Sequence, residues 1–281
     1  MSTHDHRTRR PRTAGVGLLA GVALGSYVLP GLAGARARLL SDGSRARALD
    51  GPLGAALCER LGIEDRTASG RGYALTFDDG PHVQGTPAVL EILAAASVGT
   101  GAGVRTAVGT GVVAGTDIGV HATFFLVGEQ VRRNPALVGE ILAGGHQIGL
   151  HCDRHRNLLR LAPWQVRADI ARARDTIETT TGRAIGLYRP PYGVLNTTAL
   201  RQARSHGWRT LLWSQWGRDW EARATPESIA ARVTDGAGEG SVLLLHDADD
   251  YSAPDSWRRT VAALPRVLDT LAQRGLEPVM P

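Results

Sequence analysis

The chain has 281 residues, enough for one full hydrophobic core and a tail. Its 32 basic residues are all arginine, and with the abundance of Ala and Gly the formal charge of +5 reflects biased composition; no Arg-rich stretch interleaved with aromatics supports a nucleic-acid partner. Two cysteines, Cys58 and Cys152, exclude a disulfide scaffold, and their spacing gives no argument for a bridge between them.

At the N-terminus, His6-Arg7-Thr8-Arg9-Arg10-Pro11-Arg12 precedes an uncharged Ala/Gly/Leu/Val-rich run over residues 13–35. Residues 1–35 therefore read as an export signal cleaved near Ala33-Gly34-Ala35, or as a signal anchor, since roughly 20 apolar residues cross a bilayer. In both cases the basic flank stays in the cytoplasm and the rest faces outward, so the chain is expected to be exported, either secreted or held on the membrane. Residues 36–71 are polar, Arg/Gly-rich and weakly periodic, and read as a linker or stalk with one short helix hinted at 53–61.

From residue 72 to 281, short apolar runs alternate with amphipathic stretches. Strands are predicted near 73–77, 122–127, 147–150, 186–188, 210–213, 242–245 and 277–280, and helices near 86–96, 135–144, 163–180, 197–206, 226–234 and 256–274. About seven strands separated by helices predict a parallel, barrel-like α/β domain, whose chemistry collects at the carboxyl ends of the strands. Residues 97–120, rich in Gly, Thr and Val, are too long for an ordinary connection; they read as an insertion, a disordered loop or a small hairpin, on the face opposite the site.

The strand ends carry chemistry. Thr76-Phe77-Asp78-Asp79-Gly80-Pro81 delivers two adjacent carboxylates to the sheet rim before a turn, so that one can hold a cation while its neighbour acts as base. His151-Cys152-Asp153-Arg154-His155 follows another apolar run; two imidazoles with one carboxylate form a three-ligand set that leaves positions open for water, as catalytic zinc-type sites do. Cys152 reads as a buried small residue, because thiolate ligation would close the open position. In Tyr188-Arg189-Pro190-Pro191-Tyr192-Gly193 the prolines stiffen a backbone able to aim an amide N–H inward, and Arg189 is available to a catalytic carboxylate. His246 ends the run Leu243-Leu244-Leu245, and Arg218-Asp219-Trp220 offers a carboxylate to orient a histidine and a flat wall for a sugar ring.

In this order and at roughly these intervals, the motifs T-F-D-D-G-P, H-x-x-x-H, R-P-P-Y-G, R-D-W and L-L-L-H resemble the polysaccharide deacetylases of carbohydrate esterase family 4 over about residues 72–281. The resemblance implies a distorted (β/α) barrel that removes N- or O-acetyl groups from a cell-wall or extracellular glycan. It implies a divalent cation, Zn2+ first with Co2+ or Ni2+ as alternatives, on Asp79, His151 and His155. Asp78 would be the general base held by Arg189, Tyr192 the backbone oxyanion donor, and His246 the general acid tuned by Asp219; Leu243 and Trp220 would line the acetyl pocket. No obligate protein partner is implied; the expected partners are the acetylated glycan and, through the N-terminal segment if uncleaved, the membrane. Many relatives carry Ser or Thr at the place of Cys152 and often Asp at that of Trp216, and the 97–120 insertion is absent from the usual family pattern. Two further readings share these residues: a membrane-anchored glycan-binding protein without turnover, against which the intact candidate groups speak, and a metal-dependent hydrolase of a non-sugar amide or ester.

Overall fold

A computed structural model describes residues 58–98, 104–106 and 119–281. The predicted export segment, most of the predicted linker and part of the insertion lie outside the described residues. In chain order the elements are β1 Ile63–Glu64, β2 Tyr73–Asp78, α1 Gly85–Ala95, β3 Ala96–Val98, β4 Val104–Thr106, β5 Thr123–Val127, α2 Gly128–Arg133, α3 Pro135–Ala143 and β6 Gln147–Cys152. Then follow α4 Pro163–Thr181, β7 Leu187–Tyr188, α5 Thr197–Ser205, β8 Arg209–Leu211, β9 Gln215–Trp216, α6 Pro226–Thr234, β10 Ser241–His246 and α7 Ser256–Gln273.

Eight strands form a parallel sheet in the order β1-β8-β7-β6-β5-β2-β10-β9, open between the two-residue edge strands β1 and β9. Helices connect most neighbours, as parallel pairing requires. The central strands are buried along their whole length, which is why β2 (YALTFD) and β5 (TFFLV) read as continuous apolar runs without alternation. Phe77 and Phe124 stack at 5.1 Å within that core.

Local sequence sets the helix ends. Pro163 opens α4 while Gln165 Oε1 accepts the Ala162 N–H at 2.8 Å, and Gly182 (φ 64°) ends the helix in a conformation open to glycine. Asn196 caps α5 by accepting the Ala199 N–H at 2.9 Å; Thr225 and Ser228 cap α6 reciprocally.

Three expectations need correction. The folded body begins before residue 72: β1 pairs with β8 and Ile63 is buried, so the end of the predicted linker belongs to the sheet. The strand predicted at 277–280 is reduced to one bridge, Tyr73 with Pro278, because a proline supplies no ladder N–H. β9 was not anticipated, its two residues being too few to carry a period. Within the insertion, β3 and β4 pair as an antiparallel hairpin. It leaves from the carboxyl end of α1, where Val120 N bonds to Leu93 O and Ala96 O ahead of β5, at the sheet end away from the candidate site.

Candidate active site

The carboxyl ends of β2, β6, β9 and β10, with the segments that follow β7, β8, β9 and β10, enclose a cavity of about 270 Å³. Asp78, Asp79, His151, His155, Tyr192, Trp213, Trp216, Trp220, Leu244, His246, Tyr251 and Ser252 line it. Successive strand residues face opposite sides of a sheet, yet Asp78 and Asp79 both face this cavity. The backbone achieves this by turning at Asp79 with φ 79°, a left-handed geometry that Asp tolerates at a strain on the order of 1 kcal/mol. Gly80 permits the close approach behind it, since a Cβ there would lie 2.6 Å from the Asp247 carboxylate.

Asp79 Oδ1 lies 3.5 Å from His151 Nε2 and 3.4 Å from His155 Nε2. This oxygen is buried without a hydrogen-bond partner, a costly state that a cation would relieve. His151 Nδ1 sits 2.7 Å from the Arg189 carbonyl oxygen; that acceptor places the ring proton on Nδ1 and leaves the Nε2 lone pair facing Asp79. Burial, followed by the charge of Asp78 in the opposite sense, takes His151 down to about 4, and burial reinforced by His246 takes His155 to about 4 as well. Both rings are therefore neutral donors at neutral pH. Burial raises the Asp79 carboxyl against the attraction of His246 and His151. A buried carboxylate and two neutral imidazoles are the donor chemistry of a divalent transition-metal site, and they fit one.

A second cluster, His82, Asp249 and Asp250, differs. His82 Nδ1 accepts the Gly85 N–H at 2.9 Å, so the neutral ring carries its proton on Nε2 and directs it towards Asp249 Oδ1 at 3.5 Å. That ring has no lone pair to offer an ion.

Arg189 is completely buried and fully engaged. Its Nη1 donates to Asp78 Oδ1 at 2.8 Å and Thr76 Oγ1 at 2.7 Å, while Nε and Nη2 donate to the Leu211 and Leu212 carbonyls, each at 2.9 Å. The guanidinium lies 4.0 Å above the centre of the Phe125 ring. Asp78 is thereby fixed by one oxygen, with Oδ2 left on the cavity side, 4.0 Å from His151 Nε2.

Across the cavity, His246 occupies the register position of β10 opposite Asp78 of β2. His246 Nδ1 donates to Asp219 Oδ1 at 2.8 Å, and Asp219 Oδ2 accepts the His246 N–H at 2.7 Å and the Thr260 hydroxyl at 2.8 Å. Burial opposes a charge on His246, but Asp219 outweighs it and lifts the imidazole to about 10, so Nε2 carries a proton at neutral pH.

Not every predicted residue reaches the cavity. Leu243 does not: with His246 facing inward, the two-residue period turns Leu244 in and Leu243 out, and Leu244 lines the cavity. Trp220 lines the cavity, packed edge-on to His246 at 5.5 Å and continuing through Trp216 (5.1 Å) to Trp213 (5.8 Å beyond) as an apolar wall. Tyr192 stands on the rim with φ 59°, its ring 4.4 Å from that of His155. Cys152 is a free, buried thiol outside the Asp79, His151 and His155 cluster, on the β6 face opposite His151; burial holds it well above the usual thiol range. Cys58 is also free.

The reading from sequence missed Trp213 and Leu244 as wall residues, and for Leu244 the alternation in β10 was the available signal. Tyr251 belongs to the acidic, aromatic loop 247–251 after His246, which the sequence places on the active rim. Its ring stacks on His155 at 4.7 Å because its hydroxyl donates to Glu129 Oε1 at 2.6 Å, a contact 122 residues apart in sequence.

An open parallel α/β sheet with a buried carboxylate–imidazole cluster at its strand ends, faced by a second carboxylate and a protonated imidazole, defines a hydrolase-like class of site. Comparison with known proteins agrees. The polysaccharide deacetylase profile matches residues 116–211. A peptidoglycan-N-acetylglucosamine deacetylase of Bacillus cereus is 33% identical over 204 residues, covering 72% of this chain and 82% of that protein. A chitooligosaccharide deacetylase of Azorhizobium caulinodans is 33% identical over 208 residues, covering 72% and 88%. The crystal structure of a peptidoglycan N-acetylglucosamine deacetylase in complex with 4-naphthalen-1-yl-N-oxidanyl-benzamide superposes with a TM-score of 0.65 at 26% identity, covering 79% of this chain and 92% of that one. The chain belongs to the polysaccharide deacetylase family.

Proposed function

We propose that this protein is an exported, metal-dependent hydrolase that removes acetyl groups from an N-acetylated glycan of the cell wall or surroundings. What supports this most is the register pairing of Asp78 with His246 on either side of the Asp79, His151 and His155 cluster. Those three residues would hold the ion, and Zn2+ suits two imidazoles and a carboxylate best, with Co2+ or Ni2+ as substitutes. Once bound, the ion supplies Lewis-acid polarisation to the acetyl carbonyl and to water.

The chain's own groups carry the protons. Asp78 Oδ2 takes the proton of the attacking water, while Arg189 keeps the carboxylate from turning away. Protonated His246 Nε2 gives its proton to the leaving amine as the carbon–nitrogen bond breaks, and Asp219 holds the ring in the orientation that aims Nε2 inward. The Tyr192 backbone N–H is assigned to the developing oxyanion, and one such donor is worth on the order of a hundredfold in rate. Trp220 and Leu244 enclose the acyl methyl.

Residues 13–35 are assigned the role of signal or anchor. The experiment is acetate release from N-acetylglucosamine oligomers and from peptidoglycan, read together with bound metal. Asp78→Asn is expected to retain metal and lose turnover at least a hundredfold, whereas Asp79→Asn loses both. Undiminished acetate release from Asp78→Asn would remove the assignment.

A further inference from the structure

The two imidazoles of the candidate cation cluster are held in different ways. His151 has a hydrogen bond behind it, from Nδ1 to the Arg189 carbonyl, the usual means by which a ligand ring is oriented and its free nitrogen chosen. His155 has no such bond: its Nδ1 is shut off from water and meets no hydrogen-bond partner among the described residues. No polar contact at Nδ1 therefore decides how this ring turns. Yet His155 Nε2 must face Asp79 Oδ1, 3.4 Å away, if the two are to share an ion. Aromatic faces supply the constraint instead. The Tyr251 ring lies against the imidazole at 4.7 Å and only 18° from parallel, and the Tyr192 ring meets it edge-on at 4.4 Å.

Tyr251 is itself tethered. Its hydroxyl donates to Glu129 Oε1 at 2.6 Å and accepts from Gln130 Nε2 at 3.3 Å. The Glu129 N–H in turn donates to the Asp153 carbonyl at 3.1 Å. One residue thus grips the Tyr251 loop by its side chain and the segment between the two histidines by its backbone. With its proton committed to Glu129, the Tyr251 hydroxyl has none to offer a substrate, so the ring places a neighbour and does not take part in proton transfer.

We infer that Tyr251, anchored by Glu129, is the positioning residue of His155: its ring sets the plane in which Nε2 faces the ion, in place of the hydrogen bond that His151 has and His155 lacks. The inference rests on the cation site proposed above and is independent of the acyl group or glycan.

The test is Zn2+ affinity of the full-length protein, measured by chelator competition with no substrate present. Tyr251→Leu is expected to weaken Zn2+ binding about tenfold to a hundredfold, the range for a lost outer partner of a ligand. Tyr251→Phe and Glu129→Ala keep the ring but release it; each should cost severalfold, and the two together no more than either alone. Glu129→Gln keeps an acceptor oxygen for the hydroxyl and should stay near the wild type. A further cycle separates positioning from general damage, because in a His155→Ala background Tyr251→Leu should weaken Zn2+ no further. Unchanged affinity in Tyr251→Leu, or an equal loss with and without His155, overturns the inference. The ring is also read without metal: in the chelated protein the His155 ring protons should resonate upfield under the Tyr251 ring current and return to ordinary positions in Tyr251→Leu. A wild type that shows this shift but takes up no Zn2+ sustains the hold on His155 and removes only the cation reading. Ordinary positions in the wild type overturn the inference whatever the metal affinity.

Discussion

Arg189→Met isolates the cation that holds Asp78. The substitution keeps an unbranched apolar chain over Phe125 but leaves the buried Asp78 carboxylate without its counter-charge, and it removes the donors to the Leu211 and Leu212 carbonyls. Breaking one side of a buried pair costs about 3–5 kcal/mol, and two deprived carbonyls, each keeping a second lone pair, add about 1 kcal/mol together. Arg189→Met should therefore destabilise the fold by about 4–6 kcal/mol, a large share of the 5–15 kcal/mol typical of a domain. Asp78→Asn alone strands the guanidinium and should cost about 3 kcal/mol, while the double variant removes both charges and should fall short of the sum by about 2–4 kcal/mol. Equilibrium urea unfolding with a chelator present, so that ion binding does not add to the native state, measures all four corners of the cycle. Additivity within about 0.5 kcal/mol would refute the coupling drawn from the 2.8 Å contact.

Leu244→Ala should widen the acyl side of the cavity and raise turnover of propionyl over acetyl esters severalfold, whereas Leu243→Ala should cost about 2–4 kcal/mol of stability with acyl preference unchanged; the reverse would mean that β10 is read on the wrong face. His146 Nδ1 accepts the Ala122 N–H at 3.2 Å, and burial aided by His121 lowers the ring from 6.5 to about 4. The unfolded chain takes this proton first, so the stability contribution is whole above pH 6.5 and is lost as pH falls towards 4. Relative to His146→Phe, the wild type should lose about 3 kcal/mol across that window, and a stability difference that does not change with pH would contradict it. Asp169 anchors the loop between the two candidate ligand histidines by accepting the Asp153 N–H at 2.9 Å and the Arg156 guanidinium. Asp169→Asn should weaken metal affinity about tenfold in a chelator competition, a shift that unchanged affinity would rule out.

The sheet was legible because its central strands are long, apolar and set apart by helix-length intervals. The short edges were not: two residues at Ile63–Glu64 or Gln215–Trp216 carry no periodicity and owe their place to neighbours already aligned. The candidate centre was legible because Asp78, His151 and His246 each follow an apolar run directly, with Asp79 next to the first and His155 four residues after the second. Its walls were less so. Leu243 and Leu244 are chemically identical, and only the inward facing of His246 separates them; Tyr251 reaches His155 through Glu129, a dependence that lies in tertiary packing alone.

The pairing of β2 with β10 joins Tyr73 to Ser241 and runs on to Asp78 and His246. The acid and the base of the proposed reaction thus sit on segments made near opposite ends of the folded body, and their alignment is among the last contacts a chain growing from its N-terminus can form. Such distant pairings slow folding. Until β10 arrives, one edge of the wholly buried β2 stands open, an apolar strand able to pair with another chain. A shortened chain ending before residue 241 should therefore fail by aggregation and not merely by inactivity, and assistance during synthesis or export would act on this interval.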